Sequence, residues 1–413
     1  MSKLIILGGA NCQLSAFHKA RELGIQTALF DMRGDAPAAK LADEFFQAST
    51  FDVSACVDAA RLSRADGVMT IGTDQPVFTA AKIANELNLP SLLTPEIALS
   101  VTNKGIMKQI LRDAKIPTAQ YQIVDSKSLT ALEIEGELVI KPLDNQGQKG
   151  VFRCENRAEL GNLFEKTLSY SRSERVLVEE FYPSRELTVS AWVHEGSAQI
   201  LTVTDRVTYE HPRHIGVCAA HRYPSLWAQG CEALIDDMIA QITCAFQIPA
   251  GPLYIQLLLG ERGLIVNELA CRIGGAFEDY FIPFITSFDI LGAVMDAALG
   301  KSVDPPPTFN PSGKCVRVLM PYAAPGTLAK IAPINSILSM PFVRTAGYNF
   351  NIGDSLPAFE NSGARLAHAV IFAESKQEMA RNLDEFYEQF YAHNEKDDNM
   401  LLPMPWGEAG GRP

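Results

Sequence analysis

The stretch Tyr254–Gly275, YIQLLLGERGLIVNELACRIGG, reads as two short apolar strands folded back on each other. Tyr254–Leu259 is the first run, Glu261-Arg262-Gly263 the turn and Leu264–Leu269 the second. Each run carries one acid or amide among apolar neighbours, Gln256 on the first and Glu268 on the second. An antiparallel pair can set such side chains opposite each other, close enough to share a divalent cation. Arg272 follows four residues after Glu268, and Gly274-Gly275 lets backbone approach a ligand closely. Oxygen ligands, a guanidinium and a glycine pair suit metal-bound phosphate. By itself the stretch is better explained as a buried hairpin with a polar end, so the upstream lysines and glycines have to decide.

Lys3–Gly9 is an apolar strand running into a glycine turn, Cys12–Leu23 has helical spacing closed by Gly24, and Ile25–Phe30 is a second strand ending at Asp31. This is a βαβ start of the doubly wound kind. Its turn, Gly8-Gly9-Ala10-Asn11-Cys12-Gln13, lacks the full dinucleotide glycine pattern, so a structural βαβ is the better reading than a nicotinamide site with Asp31 on a ribose. Ala55–Leu62 and the segment from Thr73-Asp74 to Leu87 read as helices, Gly67–Ile71 as a strand, and a first boundary falls near Leu92–Thr94. Asn103–Ala114 is a clear helix. Glu137–Lys141 is a strand followed by the loop Asp144–Gly150, then a strand at Val151–Cys154. A charge at the end of an apolar strand is costly unless it meets an anion or water, and the backbone N–H groups of a glycine loop can wrap phosphate. Glu179-Glu180-Phe181-Tyr182-Pro183, between two strand-like runs, is a fair slot for an adenine ring.

A net charge of −12 gives a nucleic-acid partner no electrostatic support, so an anionic substrate needs a local positive pocket. Eight scattered cysteines without a CxxC pair argue for reduced thiols and a cytoplasmic protein rather than a disulfide frame. No apolar run is long enough to span a bilayer, and no signal peptide is expected.

Taken in order, these features resemble the ATP-grasp superfamily, over nearly the whole chain. The resemblance implies an α/β architecture in three parts. Residues 1–93 form a Rossmann-like pre-ATP-grasp domain. Residues 94–304 form a two-lobed α+β ATP-grasp domain, with a central lobe at about 110–190 and a C-terminal lobe at about 191–304. Residues 305–413 form a small α+β lid subdomain and a tail, extended or loose after Asn399. By the same resemblance Lys104 and Lys141 contact ATP phosphates, with Lys141 also catalytic, and the loop bearing Gly147 and Gly150 folds over them. Glu180, Phe181 and Tyr182 hold adenine and Glu186 the ribose. Gln256 and Glu268 carry Mg²⁺, or Mn²⁺ in its place, and Arg272 steadies the transferred phosphoryl group. Arg213, His214, Gly274, Gly275, Arg317 and Arg344 are substrate candidates; for Arg213 and His214 a plain surface loop is the competing reading. Asp205-Arg206 reads as a structural pair.

The chain departs from many relatives in placing Ala270 where an asparagine often assists the metal, and Lys149 is bulky for the loop. Ile273-Gly274-Gly275-Ala276-Phe277-Glu278 and the helix opening at Thr286–Asp289 resemble the L-amino-acid (dipeptide) ligases and related carboxylate–amine ligases of the carbamoyl-phosphate synthetase-like branch. The implied reaction joins a small-molecule carboxylate to an amine through an acyl-phosphate, releasing ADP and phosphate, in a homodimer that uses neither nucleic acid nor membrane. Three alternatives remain: a purine-type or carbamoyl-phosphate-type synthetase, a nicotinamide enzyme on the first βαβ unit, and an ATP-grasp protein that binds without catalysing.

Overall fold

The computed structural model describes residues 1–310 and 313–406. Residues 407–413, the end of the expected loose tail, lie outside the described part.

The N-terminal unit is a four-stranded parallel sheet ordered Glu44–Gln47, Gln26–Asp31, Lys3–Leu7, Gly67–Met69. Its two central strands are almost wholly buried, as expected of a sheet covered on both faces. The strand Glu44–Gln47 was not evident in the sequence; it is short and alternates half-buried with exposed residues at the sheet edge. Asp31 accepts from the amides of Gly9 and Arg33 at 2.9 and 2.8 Å, so its carboxylate fixes its own turn, in agreement with a structural βαβ unit.

A smaller antiparallel sheet follows, ordered Tyr121–Val124, Val176–Glu180, Leu138–Pro142, Phe152–Cys154, with the helix Arg157–Leu168 packed on it. The largest element is an eight-stranded antiparallel sheet: Gly263–Ala270, Gly251–Gly260, Ser184–His194, Ser197–Thr208, Cys218–Tyr223, Cys315–Leu319, Ala367–Ala373, Val343–Tyr348. Cys218–Tyr223 pairs with Cys315–Leu319, so the sheet runs on past residue 305 without interruption. The tail is extended but not loose as far as Trp406: Met400, Met404 and Trp406 are buried in the C-terminal core.

The N-terminal unit locks onto the large sheet through glycines. Gly72 N donates to Ile273 O at 3.0 Å. A Cβ on Gly275 would lie 2.6 Å from Gly72 O, a backbone atom with little room to yield. Gly275→Ala is therefore expected to cost about 1–3 kcal/mol by overpacking, read as a lowered urea midpoint. An unchanged midpoint would contradict this packing.

Among the described residues no single helix is long and apolar enough to cross a membrane. The apolar pair Glu278–Thr286 and Ile290–Ala298 is broken by a 112° bend, and many of its side chains are buried.

Candidate active site

The two antiparallel sheets face each other across a cavity of about 940 Å³. Lys104, Lys141, Glu179, Glu186, Arg206, Asn267 and Glu268 all line it, together with the loop Asn145–Lys149. Lys104 opens the helix Lys104–Asp113, capped by Asn103, and its ammonium donates to Asn145 O at 2.8 Å and sits 3.6 Å from Glu268. Lys141 stands near the end of its strand, 2.5 Å from Glu179 and 3.1 Å from Asn267 Oδ1. Burial works against the Lys141 ammonium, but Glu179, with Glu268 and Glu186 behind it, outweighs burial and leaves its pKa raised. Glu179 is pulled the other way. Burial opposes its charge, yet Lys108 and Lys141 together hold the carboxyl down at about 2.

Glu179 was missed in the sequence in favour of its neighbour. Val139 pairs with Glu179, and Lys141 lies two residues beyond Val139, so Lys141 and Glu179 share a face. Glu180 accepts from Gln120 N at 3.0 Å and Arg262 at 2.8 Å and also lines the cavity. Phe181 and Tyr182 line the cavity as expected; the Phe181 amide is taken by Glu137 O and Arg153 stacks on its ring.

Gly147 and Gly150 adopt positive φ, and a Cβ on either would strike Ser362 or Tyr170. The loop is tied at both sides. Gln146 Oε1 accepts the amides of Asp74 and Gln75 at 2.5 and 3.3 Å, and Gly147 O accepts the Ser362 amide and hydroxyl.

The hairpin forms as expected, with Gln256 opposite Glu268. A register shift beside Gln256 makes Asn267 an extra residue. Asn267 faces the cavity, while Gln256 is buried behind it, bonded to Tyr254 and Asn267. The oxygen donors that the hairpin presents to the cavity are thus Glu268 and Asn267, in place of the expected pair Gln256 and Glu268. Burial raises the Glu268 pKa, but Lys104, Lys141, Arg206 and Arg272 reverse this and leave it lowered, so the carboxylate is ionised.

Arg272 does not line this cavity. Its Nε and one Nη bind Asp74 of the N-terminal unit, the other Nη binds Ile273 O, and its guanidinium lies over Tyr254. Asp74 heads the helix Gln75–Leu87 without capping it by its side chain; Gln146 serves those amides instead. Asp74→Ala is expected to cost about 2 kcal/mol, below the range for a fully buried pair because Asp74 is partly exposed. A thermal midpoint equal to that of the parent would show that the clamp contributes nothing.

Other expectations need correction. Arg213 is 63% exposed and leans toward Glu159, 3.9 Å away. His214 is buried edge-on against Phe152, and burial lowers its pKa. His211 lines the cavity instead, its Nδ1 accepting the amides of Arg213 and His214. Gly274 and Gly275 make room for Glu278 and Gly72 rather than for a ligand. Arg317 is inside the large sheet, bonded to Tyr223 O and Val316 O, and burial with Arg222 nearby pushes its pKa down to about 10. Arg344 is exposed on the outermost strand. Asp205 and Arg206 do not pair, because adjacent strand residues point to opposite faces: Asp205 binds Arg222 and Arg206 binds Glu186.

Residues 134–278 match the ATP-grasp domain, residues 17–91 the ATP-grasp N-terminal domain, and residues 319–393 the L-amino acid ligase C-terminal domain 2. Two stretches of the chain thus match ATP-grasp domains. Its C-terminal module is of the kind described for L-amino acid ligases. The structure is similar to the L-amino acid ligase of Bacillus licheniformis, with TM-score 0.80 and 20% identity over 96% of this chain and 99% of the other. It is also similar to the phosphoribosylglycinamide synthetase of Anaerococcus prevotii, with TM-score 0.74 and 19% identity over 95% and 100%. At such identities these likenesses establish the fold. In sequence, the formate-dependent phosphoribosylglycinamide formyltransferase of Sulfurisphaera tokodaii is 23% identical over 54% of this chain and 58% of its own length. The chain spans about half the length of the curated relatives it matches.

Proposed function

We propose that the protein is an ATP-dependent carboxylate–amine ligase with an amino acid as one substrate. The observation that carries the reading is one cavity holding two lysines, Lys104 and Lys141, with an ionised Glu268 and a glycine loop folded against them. The match of residues 319–393 to the L-amino acid ligase C-terminal domain 2 supports an amino acid as one substrate. In the proposed reaction a carboxylate oxygen attacks the γ-phosphorus of ATP, the bond to the bridging oxygen breaks and ADP leaves. The amine nitrogen then attacks the acyl carbon, phosphate departs with the bonding electrons, and the nitrogen gives up a proton. The chain's own work is positioning and charge neutralisation. Lys104 and Lys141 offset phosphate charge. Phe181 and Tyr182, which line the cavity, are assigned to the base, and Glu186, which pairs with Arg206, to the ribose hydroxyls. Clamped on Asp74, Arg272 is assigned to positioning the substrate side rather than to the phosphates.

Glu268 and Asn267 fit Mg²⁺, which favours oxygen donors and commonly binds through one or two carboxylates plus phosphate oxygens. When bound, the ion would supply further neutralisation of the phosphates. The test is phosphate release from ATP across a matrix of carboxylates and amines, with and without Mg²⁺. Release that needs both an amino acid and Mg²⁺ is expected; no release with any amino acid would refute the reading. A homodimer is proposed on the family resemblance alone, and light scattering measures it directly.

A further inference from the structure

Lys108 does not touch the cavity and is 1% exposed, yet it is a cation in the middle of the site's charge network. Its ammonium is 2.6 Å from Glu179 and donates to Thr118 Oγ1 at 2.6 Å. Thr118 in turn donates to Val266 O at 2.7 Å, next to Asn267 on the hairpin. Glu179 therefore stands between two ammoniums, with Oε1 toward Lys108 and Oε2 toward Lys141. Two cations share one carboxylate, and the surplus positive charge has an outlet only at Lys141, which opens on the cavity.

We propose that Lys108 is a positioning residue that draws on the Glu179 charge and so leaves Lys141 with net positive charge for a polyphosphate. With Lys108 gone, the whole Glu179 charge falls on Lys141 at 2.5 Å, and the group becomes neutral overall. A neutral ion pair holds a phosphate far less well than an ammonium with surplus charge. Burial works against the Lys108 ammonium and, with Lys141 nearby, outweighs the support of Glu179, so its pKa is lowered. Thr118 fixes the ammonium from the side of the hairpin, so Lys108 also joins the two lobes at the point where Asn267 and Glu268 enter the cavity.

The inference deepens the proposed ATP site and is tested by calorimetric titration of two probes, MgADP and inorganic tripolyphosphate. The second has no base, so contacts of Glu179 with an adenine do not enter. Lys108→Met is expected to weaken tripolyphosphate binding about tenfold, the scale of coupling within one charged network. Lys108→Arg, which keeps the cation, should bind within about threefold of the parent. The double variant Lys108→Met/Glu179→Gln restores the parent's net charge and should recover most of the loss. A purely structural role cannot produce that recovery. If Lys108→Met does not fold, Lys108→Gln keeps a donor for Thr118 without the charge and should show the same loss. Parent-like affinity in a folded Met or Gln variant, or no recovery in the double variant, overturns the role of Lys108. A parent that binds tripolyphosphate but not MgADP would overturn the nucleotide reading while the charge-sharing pattern still stood. Binding of neither probe would overturn both.

Discussion

Asp205→Ala is expected to destabilise the protein by about 3–5 kcal/mol, the range for removing one partner of a buried ion pair. Asp205 has no exposed surface and is a hub rather than half of a simple pair. It accepts from Arg222 Nε at 2.7 Å, from the Ser225 hydroxyl, and from the amides of Leu226 and Trp227 at 2.9 and 3.1 Å. Alanine leaves all four donors without their acceptor. The gravest loss is at Arg222, whose side chain is 2% exposed and already has one Nη without a hydrogen-bond partner. Arg317 adds a second buried guanidinium, depressed by its burial and by Arg222. Urea denaturation measures the effect. The double variant Asp205→Ala/Arg222→Met should regain much of the stability, because it removes the charge together with its partner. A single variant within about 1 kcal/mol of the parent would show that water or relaxation replaces the carboxylate. The consequence for the site is direct, since Arg206 follows Asp205 and projects to the other face onto Glu186.

What could be read from the sequence, and what could not, follows from the range of the interactions involved. Lys141 and Glu268 were legible as charges set in apolar runs, where a charge needs a reason, and Lys104 only through the family resemblance. The first βαβ unit was legible because its period is local. The choice between Glu179 and Glu180 was not, since it depends on pairing parity: only the register Val139 with Glu179 puts that residue on the Lys141 face. Gln256 was chosen over Asn267 for a similar reason, because one extra residue in the hairpin changes which amide is presented. Lys108 carries no signal of its own within the helix Asn103–Ala114, because its partner Glu179 lies 71 positions away. The Arg272 pairing was not legible because Asp74, its partner, comes from another domain. The continuous eight-stranded sheet depended on pairings such as Ala220 with Leu319, which no local pattern announces.

Glu268→Gln is expected to lower Mg²⁺-dependent phosphate release by at least about a hundredfold, while leaving the fold intact. The substitution keeps shape and removes charge. Glu268 retains 24% side-chain exposure and sits 3.6 Å from Lys104, so its loss does not strand a deeply buried cation. That separates it from Asp205, where the cost falls on stability. The environment of Glu268 is arranged to keep it charged: burial favours the neutral acid, and Lys104, Lys141, Arg206 and Arg272 more than reverse that preference. With its pKa lowered, it gives up its charge at a lower pH than an ordinary carboxyl does. A fall in activity between about pH 6 and 5 must therefore be assigned to another group. The same lowered pKa means the charge contributes stability above the unfolded value, lost only as pH drops through the folded one. In Glu268→Gln this acid-side contribution is absent, so its stability should fall less on acidification than that of the parent. ADP titrated without Mg²⁺ supplies the control. Removing a carboxylate from a cavity that receives phosphates should leave metal-free ADP binding equal or stronger, while the gain on adding Mg²⁺ disappears. A variant that keeps the Mg²⁺-dependent gain would move the metal away from the hairpin. Parent-like turnover would also remove Glu268 from the chemistry.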